Sequence, residues 1–195
     1  MMTEPDPIAE YQSLFARALQ QEGEKCATAA TLATAGLDAR PSARVVLIKH
    51  VDERGFVFYT NLESRKSKEI RANPRAALCS YWSSIDKQFR VEGPIQSVAE
   101  DEADEYFKSR PRGSQIGAWT SKQSELLASR QELMARYLKT QARFAGRTIP
   151  RPGFWSGFRL VPERIEIWHN QRYRLHDRML YIRDGDGWSV RRLYP

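Results

Sequence analysis

The chain predicts a mainly β fold of the α+β class: an antiparallel, Greek-key-like barrel decorated by helices. Three observations carry this. Short apolar runs recur between turn-forming residues, as in Ala29–Ala35, Ser42–His50 and Phe56–Thr60. Helix-forming stretches are interspersed among these runs without the strict alternation of a βαβ unit. No Gly-x-Gly-x-x-Gly and no Walker lysine motif occurs, so any bound phosphate must be held by side chains and not by a glycine loop.

Each element is legible locally. Pro7 opens an amphipathic helix, with Ile8, Tyr11, Leu14, Phe15 and Leu19 at helical spacing. Ala29–Ala35 reads as a strand and Gly36-Leu37-Asp38 as a turn. Ser42–His50 is a strongly apolar, buried strand through Val45, Val46, Leu47 and Ile48. Asp52-Glu53-Arg54-Gly55 predicts a hairpin into the strand Phe56–Thr60. Ser64 is placed to cap a short basic helix reaching Asn73, which Pro74 stops. Arg75–Trp82 and Gln88–Val98 are further strands. Glu100, Asp101, Glu102 and Asp104 suit the positive end of a helix dipole and predict a helix to Arg110, broken by Pro111. Ser121–Phe144 predicts one long helix whose apolar face carries Leu126, Leu127, Leu133, Met134, Tyr137 and Leu138. Beyond Pro150, Pro152 and Gly153 come three closing strands: Phe158–Trp168, Arg178–Arg183 and Trp188–Leu193. Asp184-Gly185-Asp186-Gly187 joins the last two.

A length of 195 residues predicts a single domain, 1–195, with an N-terminal helix region at 1–25 and closing strands at 150–195. Two cysteines, Cys26 and Cys79, share no motif and lack metal-ligand spacing, so no metal site and a reducing, cytoplasmic setting are expected. No apolar run approaches the roughly 18 residues of a membrane span. The start Met1-Met2-Thr3-Glu4-Pro5-Asp6-Pro7 is too acidic and polar for a signal peptide. The net charge of +7 comes from 31 basic and 24 acidic residues spread along the chain. That distribution favours anionic small molecules over nucleic acid.

Four constellations offer chemistry. Arg44 and Lys49 bracket an apolar strand, and Tyr59-Thr60 precede Arg65-Lys66 at a helix start, a setting that favours phosphate. The alternative is strand-end charges reaching into solvent. Tyr106 and Arg110, at i and i+4 on one helix face, form with Ser114 a possible phosphate clamp. The alternative is a helix end with a helpful arginine. Gln123-Ser124 at a helix start, and Gln88 on a strand, offer neutral donors and acceptors to a heterocycle edge, or are simply exposed. Trp168, Arg174, His176 and Arg178 combine an aromatic ring, two guanidinium charges and a switchable imidazole. If that segment is extended, Arg174, His176 and Arg178 share a face, and their charges need a ligand anion there or pairing with Asp177 and Glu166.

Together these stretches resemble the pyridoxine/pyridoxamine 5'-phosphate oxidase family from about Ile8 to Pro195. The strongest match is Ile165-Glu166-Ile167-Trp168 followed, across a short gap, by Arg174-Leu175-His176-Asp177-Arg178. Phe154–Arg159, Ser109–Arg112, Ser114–Trp119 and the Arg-Leu-x-Pro terminus agree with it. The resemblance implies an FMN-binding split β-barrel, a homodimer with FMN at the interface, and dimerisation and active-site strands at 150–195. It implies FMN contacts at Arg44, Val45, Val46, Leu47, Ile48, Lys49, Tyr59, Thr60, Arg65, Lys66, Gln88, Gln123, Ser124, Trp168 and Arg178. The substrate phosphate would lie on Lys49, Tyr106, Arg110 and Ser114. Arg174, Leu175 and His176 would bind the substrate ring, with Arg174 and His176 at the reacting face as the catalytic pair. The implied reaction oxidises pyridoxamine or pyridoxine 5'-phosphate to pyridoxal 5'-phosphate. Dioxygen accepts the electrons and becomes hydrogen peroxide; ammonia leaves from the amine. No nucleic-acid or membrane partner is implied.

The chain departs from the family in three places. Its N-terminal arm is short, Cys26-Ala27 stands where an acidic residue and proline are usual, and Ile167 stands where an aromatic is usual. Two other functions compete. A flavin oxidase of the phenazine-biosynthesis type shares the C-terminal tail, but its tricyclic acid carries no phosphate for Lys49, Tyr106, Arg110 and Ser114 to hold. A non-catalytic barrel that stores flavin or pyridoxal phosphate would need no Arg174/His176 pair.

Overall fold

The computed structural model describes residues 6–195. Most of the polar N-terminal stretch read as no signal peptide, residues 1–5, lies outside the described residues. The elements run α1 (Pro7–Glu22), α2 (Glu24–Ala27), β1 (Ala29–Ala35), β2 (Pro41–Asp52), β3 (Gly55–Asn61), α3 (Arg65–Ala72), β4 (Arg75–Trp82), β5 (Lys87–Ser97), α4 (Glu100–Ser109), α5 (Arg112–Thr120), α6 (Arg130–Arg143), β6 (Trp155–Leu160), β7 (Arg164–His169), β8 (Asp177–Asp184) and β9 (Gly187–Leu193). Among the described residues, no helix is long and apolar enough to cross a membrane.

The strands lie in the order β4-β1-β2-β3-β6-β5-β7-β8-β9, and β4 pairs again with β5. That second pairing closes a six-stranded antiparallel barrel, β4-β1-β2-β3-β6-β5. Its β4-β1-β2-β3 portion has the Greek-key order, three strands joined in turn and a fourth returning beside the first. Strand β5 divides one edge between two partners: Ile95–Ser97 pair with β6, and Lys87–Glu92 pair with β7. Strands β7, β8 and β9 thus leave the barrel as an extension of its sheet.

This corrects the single strand expected over Phe158–Trp168. Pro162 lacks an N–H, and the chain bends there. Val161 N donates to Pro94 O and Glu163 N to Glu92 O, both at 2.9 Å, so the corner folds onto β5 opposite Gly93. A Cβ on Gly93 would stand 1.9 Å from Val161 O. Gly93→Ala should therefore cost about 3 kcal/mol through overpacking, a fall in Tm of roughly 6–12 °C. An unchanged Tm would show that the corner does not depend on this close approach.

The barrel core is built from the inward-facing strand residues Leu32, Phe56, Phe58, Leu78, Trp82, Phe89, Val91 and Ile165. Helix α1 packs against it. Asp6 caps α1 by accepting from Ile8 N at 2.9 Å, and Pro7 occupies its first turn. Tyr11 contacts Phe15, Phe56, Trp82 and Phe89 with ring centroids 4.7–5.9 Å apart. Ala18, not the expected Leu19, completes the buried face; Leu19 is exposed.

Three further expectations are corrected. Val45 and Leu47 point outward and are 65% and 40% exposed, so β2 is half-buried, not buried throughout. The helix expected over Ser121–Phe144 begins only at Arg130, where Ser129 Oγ accepts from Glu132 N at 3.1 Å. Ser121 instead caps the C-terminus of α5, a helix that Pro111, as a helix breaker, does not predict. Pro111 ends α4 and also stands at the N-cap of α5, where its missing N–H costs nothing. Leu126, Leu127, Met134 and Leu138 are exposed. A second apolar cluster, Phe107, Ile116, Phe144, Ile149 and Trp155, joins α4 and α5 to β6.

Candidate active site

A cavity of about 480 Å³ opens between the outer faces of β2 and β3 and the helices α4 and α5. Its walls include Val45, Val46, Leu47, Lys49, Tyr59, Thr60, Lys66, Tyr106, Arg110, Ser114, Gln123 and Trp155. Three cations line it, Lys49, Lys66 and Arg110, and among the described residues no carboxylate does. That imbalance suits an anionic ligand, because buried like charges need a counter-charge.

Each cation is aimed by local structure. Lys49 sits at a bulge: pairing with β3 passes from Ile48↔Phe58 directly to His50↔Val57. A bulge re-aims the extra side chain, here into the cavity wall. Its Nζ lies 3.3 Å from Glu24 Oε1.

Lys66 is buried in the first turn of α3. Its Nζ donates to Thr60 Oγ1 at 3.1 Å, Ser64 Oγ at 3.2 Å and Gln123 Oε1 at 2.8 Å, all neutral oxygens. Burial, and then the neighbouring Arg44 charge, bring its pKa down to about 8, with Glu69 opposing. Ser64 holds the N-cap position, but its hydroxyl serves Lys66 and Ser67 and not the helix backbone as expected. Gln123 Oε1 also accepts from Thr60 Oγ1 at 3.1 Å. Gln123 therefore belongs to a turn pinned on β3, not to a helix start. Ser124 beside it has φ 75° and does not line the cavity.

Arg110 lies just past α4 with extended backbone (φ −69°, ψ 146°), so the expected i, i+4 helix face with Tyr106 is not formed. Both residues reach the cavity nonetheless. The Arg110 guanidinium stands 4.6 Å over the Trp155 ring and 5.7 Å from the Phe107 ring. Its Nη1 is buried and has no hydrogen-bond partner among the described residues. Burial pushes its pKa down, with the Tyr106 hydroxyl acting the other way. Tyr106 stacks on Tyr59 at 4.0 Å and 15° and lies nearly parallel to Trp155. Burial, then Glu102 and Tyr106, raise the Tyr59 hydroxyl to about 12. Trp155 was missed as a site residue; only its place in the aromatic-rich run Phe154–Phe158 hinted at it.

The remaining candidates fall elsewhere. Arg44 and Arg65 both bind Glu69, at 3.0 and 2.7 Å, and do not line the cavity. Thr34, Ser42 and both arginines hold the Glu69 carboxyl at about 2 against its burial. Ile48 is in the barrel core. Gln88, Trp168 and Arg178 are register neighbours across β5, β7 and β8. The His176 ring packs 4.6 Å from Trp168, and Gln171 N donates to His176 Nδ1 at 3.2 Å. None of this second patch lines the cavity.

The segment before it is not extended. Tyr173 and Arg174 have φ of 59° and 61° in a tight turn, so Arg174 does not share a strand face with His176 and Arg178. Arg174 and Leu175 are exposed. The pairing alternative holds in part: Arg178 Nε donates to Glu166 Oε1 at 2.8 Å, while Asp177 pairs with Arg192 at 2.9 Å.

Residues 17–144 match the family described as pyridoxamine 5'-phosphate oxidase, and residues 155–195 match the pyridoxine 5'-phosphate oxidase C-terminal dimerisation region. The chain belongs to the pyridoxamine 5'-phosphate oxidase family. A relative named pyridoxine/pyridoxamine 5'-phosphate oxidase from Myxococcus xanthus (strain DK1622) is 55% identical over 195 residues, covering 100% of this chain and 94% of its own. One of the same name from Rubrobacter xylanophilus is 54% identical over 192 residues, covering 98% and 88%. Among solved structures, PhzG from Burkholderia lata 383, in complex with tetrahydrophenazine-1-carboxylic acid, superposes with a TM-score of 0.92. It is 32% identical and covers 99% of this chain and 95% of its own. The split-barrel architecture is thus the family's.

Proposed function

We propose that this family member oxidises pyridoxamine and pyridoxine 5'-phosphate to pyridoxal 5'-phosphate, with FMN as cofactor and dioxygen as acceptor. One observation carries the reading: a cavity lined by three cations and, among the described residues, no carboxylate. Lys66, bound only to neutral oxygens, suits the cofactor's phosphate. Arg110, with an unpartnered buried N–H group, suits the phosphate of the substrate. Two phosphates for two centres is the fit expected of FMN plus a phosphorylated vitamer.

When bound, FMN would supply the two-electron redox chemistry that links the substrate to dioxygen. The chain supplies placement. Lys66, Thr60 and Gln123 hold the cofactor phosphate, with Arg44 and Arg65 behind them. Val45, Val46, Leu47 and Tyr59 wall the cofactor. Arg110, Tyr106, Ser114 and Lys49 bind the substrate phosphate and so fix the ring. The active unit is a homodimer, in which the patch of Gln88, Trp168, Arg174, His176 and Arg178 from a second copy completes the cavity. The exposed Val45, Leu47 and Tyr81 on the outer sheet face support such an interface.

The PhzG likeness raises the phenazine alternative; the named relatives at 54–55% identity favour the vitamer reading, and the phosphate set supports it. Oxygen uptake with pyridoxamine 5'-phosphate should exceed that with dephosphorylated pyridoxamine by on the order of a hundredfold in kcat/KM, because the analogue leaves buried donors unpaired. Equal rates, or a preference for a tricyclic carboxylic acid, would overturn the assignment.

Lys66 gives a pH signature. An ammonium is charged below its pKa, and its pKa near 8 lies below the ordinary 10.5. FMN affinity should therefore fall as pH rises above about 8, by up to about tenfold per pH unit. In Lys66→Arg it should stay flat, because guanidinium does not titrate there. Flavin-fluorescence titrations at neutral and alkaline pH test this; a wild-type affinity independent of pH would remove Lys66 from the phosphate site.

A further inference from the structure

Arg110 is the least conventionally supported cation of the cavity. It has no carboxylate partner among the described residues, and its backbone lies at the break between two helices. Helix α4 ends there with carbonyls that no further helical turn can satisfy. The side chain of Gln115, one turn into α5, fills that role. Its Nε2 lies 3.1 Å from Phe107 O, 3.2 Å from Lys108 O and 3.0 Å from Arg110 O. The two amide hydrogens are thus shared among three converging carbonyls, one of them Arg110's own. The backbone adds Gln115 N to Pro111 O at 3.1 Å and Arg110 N to Phe107 O at 3.3 Å.

From this geometry we infer that Gln115 is the positioning residue of Arg110: it locks the α4–α5 corner so that the guanidinium is presented over Trp155 toward the substrate phosphate. The inference rests on the proposed reading of the cavity. The chemistry explains the residue type. A neutral amide donates to several carbonyls without adding a charge; a lysine would place a competing cation beside Arg110, and a carboxylate would repel the carbonyls. Gln115 is half-buried on the corner and does not line the cavity, so it acts on the ligand only through Arg110.

The test uses flavin-loaded protein and calorimetric titration with pyridoxamine 5'-phosphate and, separately, dephosphorylated pyridoxamine. Gln115→Met keeps the length and loses the donor. It should weaken binding of the phosphorylated ligand on the order of tenfold and leave the dephosphorylated ligand unaffected. In an Arg110→Ala background it should add nothing, since the group it positions is gone. Gln115→Met binding like wild type, while Arg110→Ala binds poorly, would overturn the inference alone. Equal weakening of both ligands would also overturn it, as a general structural role. Arg110→Ala binding like wild type would instead sink the phosphate reading itself.

Discussion

Arg110→Ala should weaken binding of pyridoxamine 5'-phosphate by about 1.5–3 kcal/mol, the worth of a hydrogen bond to a charged group. That is roughly a 10- to 150-fold rise in Kd. The reason lies in what Arg110 lacks. Its guanidinium is held between aromatic rings, 4.6 Å over Trp155, with Nη1 buried and unpartnered. A native protein keeps such a group when a ligand satisfies it. The same fact sets the expected stability: removing an unsatisfied buried donor relieves a desolvation cost, which offsets the lost ring contact, so Tm should change little. FMN affinity should also hold, because the proposed cofactor-phosphate site lies at Lys66 and Gln123 instead. Calorimetry with the phosphorylated vitamer and a thermal melt check both halves. An unchanged Kd removes Arg110 from the clamp.

With Arg174 at the reacting face, as proposed, Arg174→Ala should lower kcat on the order of 100- to 1,000-fold, with FMN affinity unchanged. Arg174 is exposed and lies in a turn where two successive non-glycine residues adopt left-handed backbone. Such conformations are costly and cluster where function requires a particular presentation of side chains. Steady-state rates with saturating substrate, alongside flavin titration, separate the roles. Equal loss of turnover and of FMN affinity would reassign Arg174 to the cofactor.

Much of the fold was legible because local signals and tertiary structure agree. Pro7, Asp52–Gly55 and Asp184–Gly187 mark boundaries through backbone chemistry that tertiary contacts do not override. The errors fall where one residue does two jobs. Pro111 both ends α4 and begins α5, and reading only the first hid α5. Pro162 bends one apolar run into β6 and β7, a corner visible only once Gly93 of another strand lies opposite it. Leu126 and Leu127 resembled a buried helical face, yet both are exposed in the single chain.

The candidate site divides in the same way. Lys49, Tyr106, Arg110 and Ser114, grouped from the sequence, line one cavity. The helical spacing offered for Tyr106 and Arg110 was the wrong reason; the corner after α4 brings them together. The Arg174–Arg178 cluster could not be joined to that cavity from pattern, because in one chain it is a separate patch beside Trp168. Trp155 and Gln115 were passed over because each meets Arg110 through a contact that nothing in local sequence reports, Trp155 from β6 and Gln115 across the break between α4 and α5.

The central claim, a flavin oxidase of phosphorylated B6 vitamers, is tested most directly by an absorbance spectrum of the purified protein followed by oxygen uptake. With FMN loaded, the protein should be yellow and should consume dioxygen with both pyridoxamine and pyridoxine 5'-phosphate, as an aldehyde chromophore and peroxide accumulate. A colourless protein that takes up no flavin, or a flavin-loaded one that consumes no oxygen with either vitamer, would contradict it.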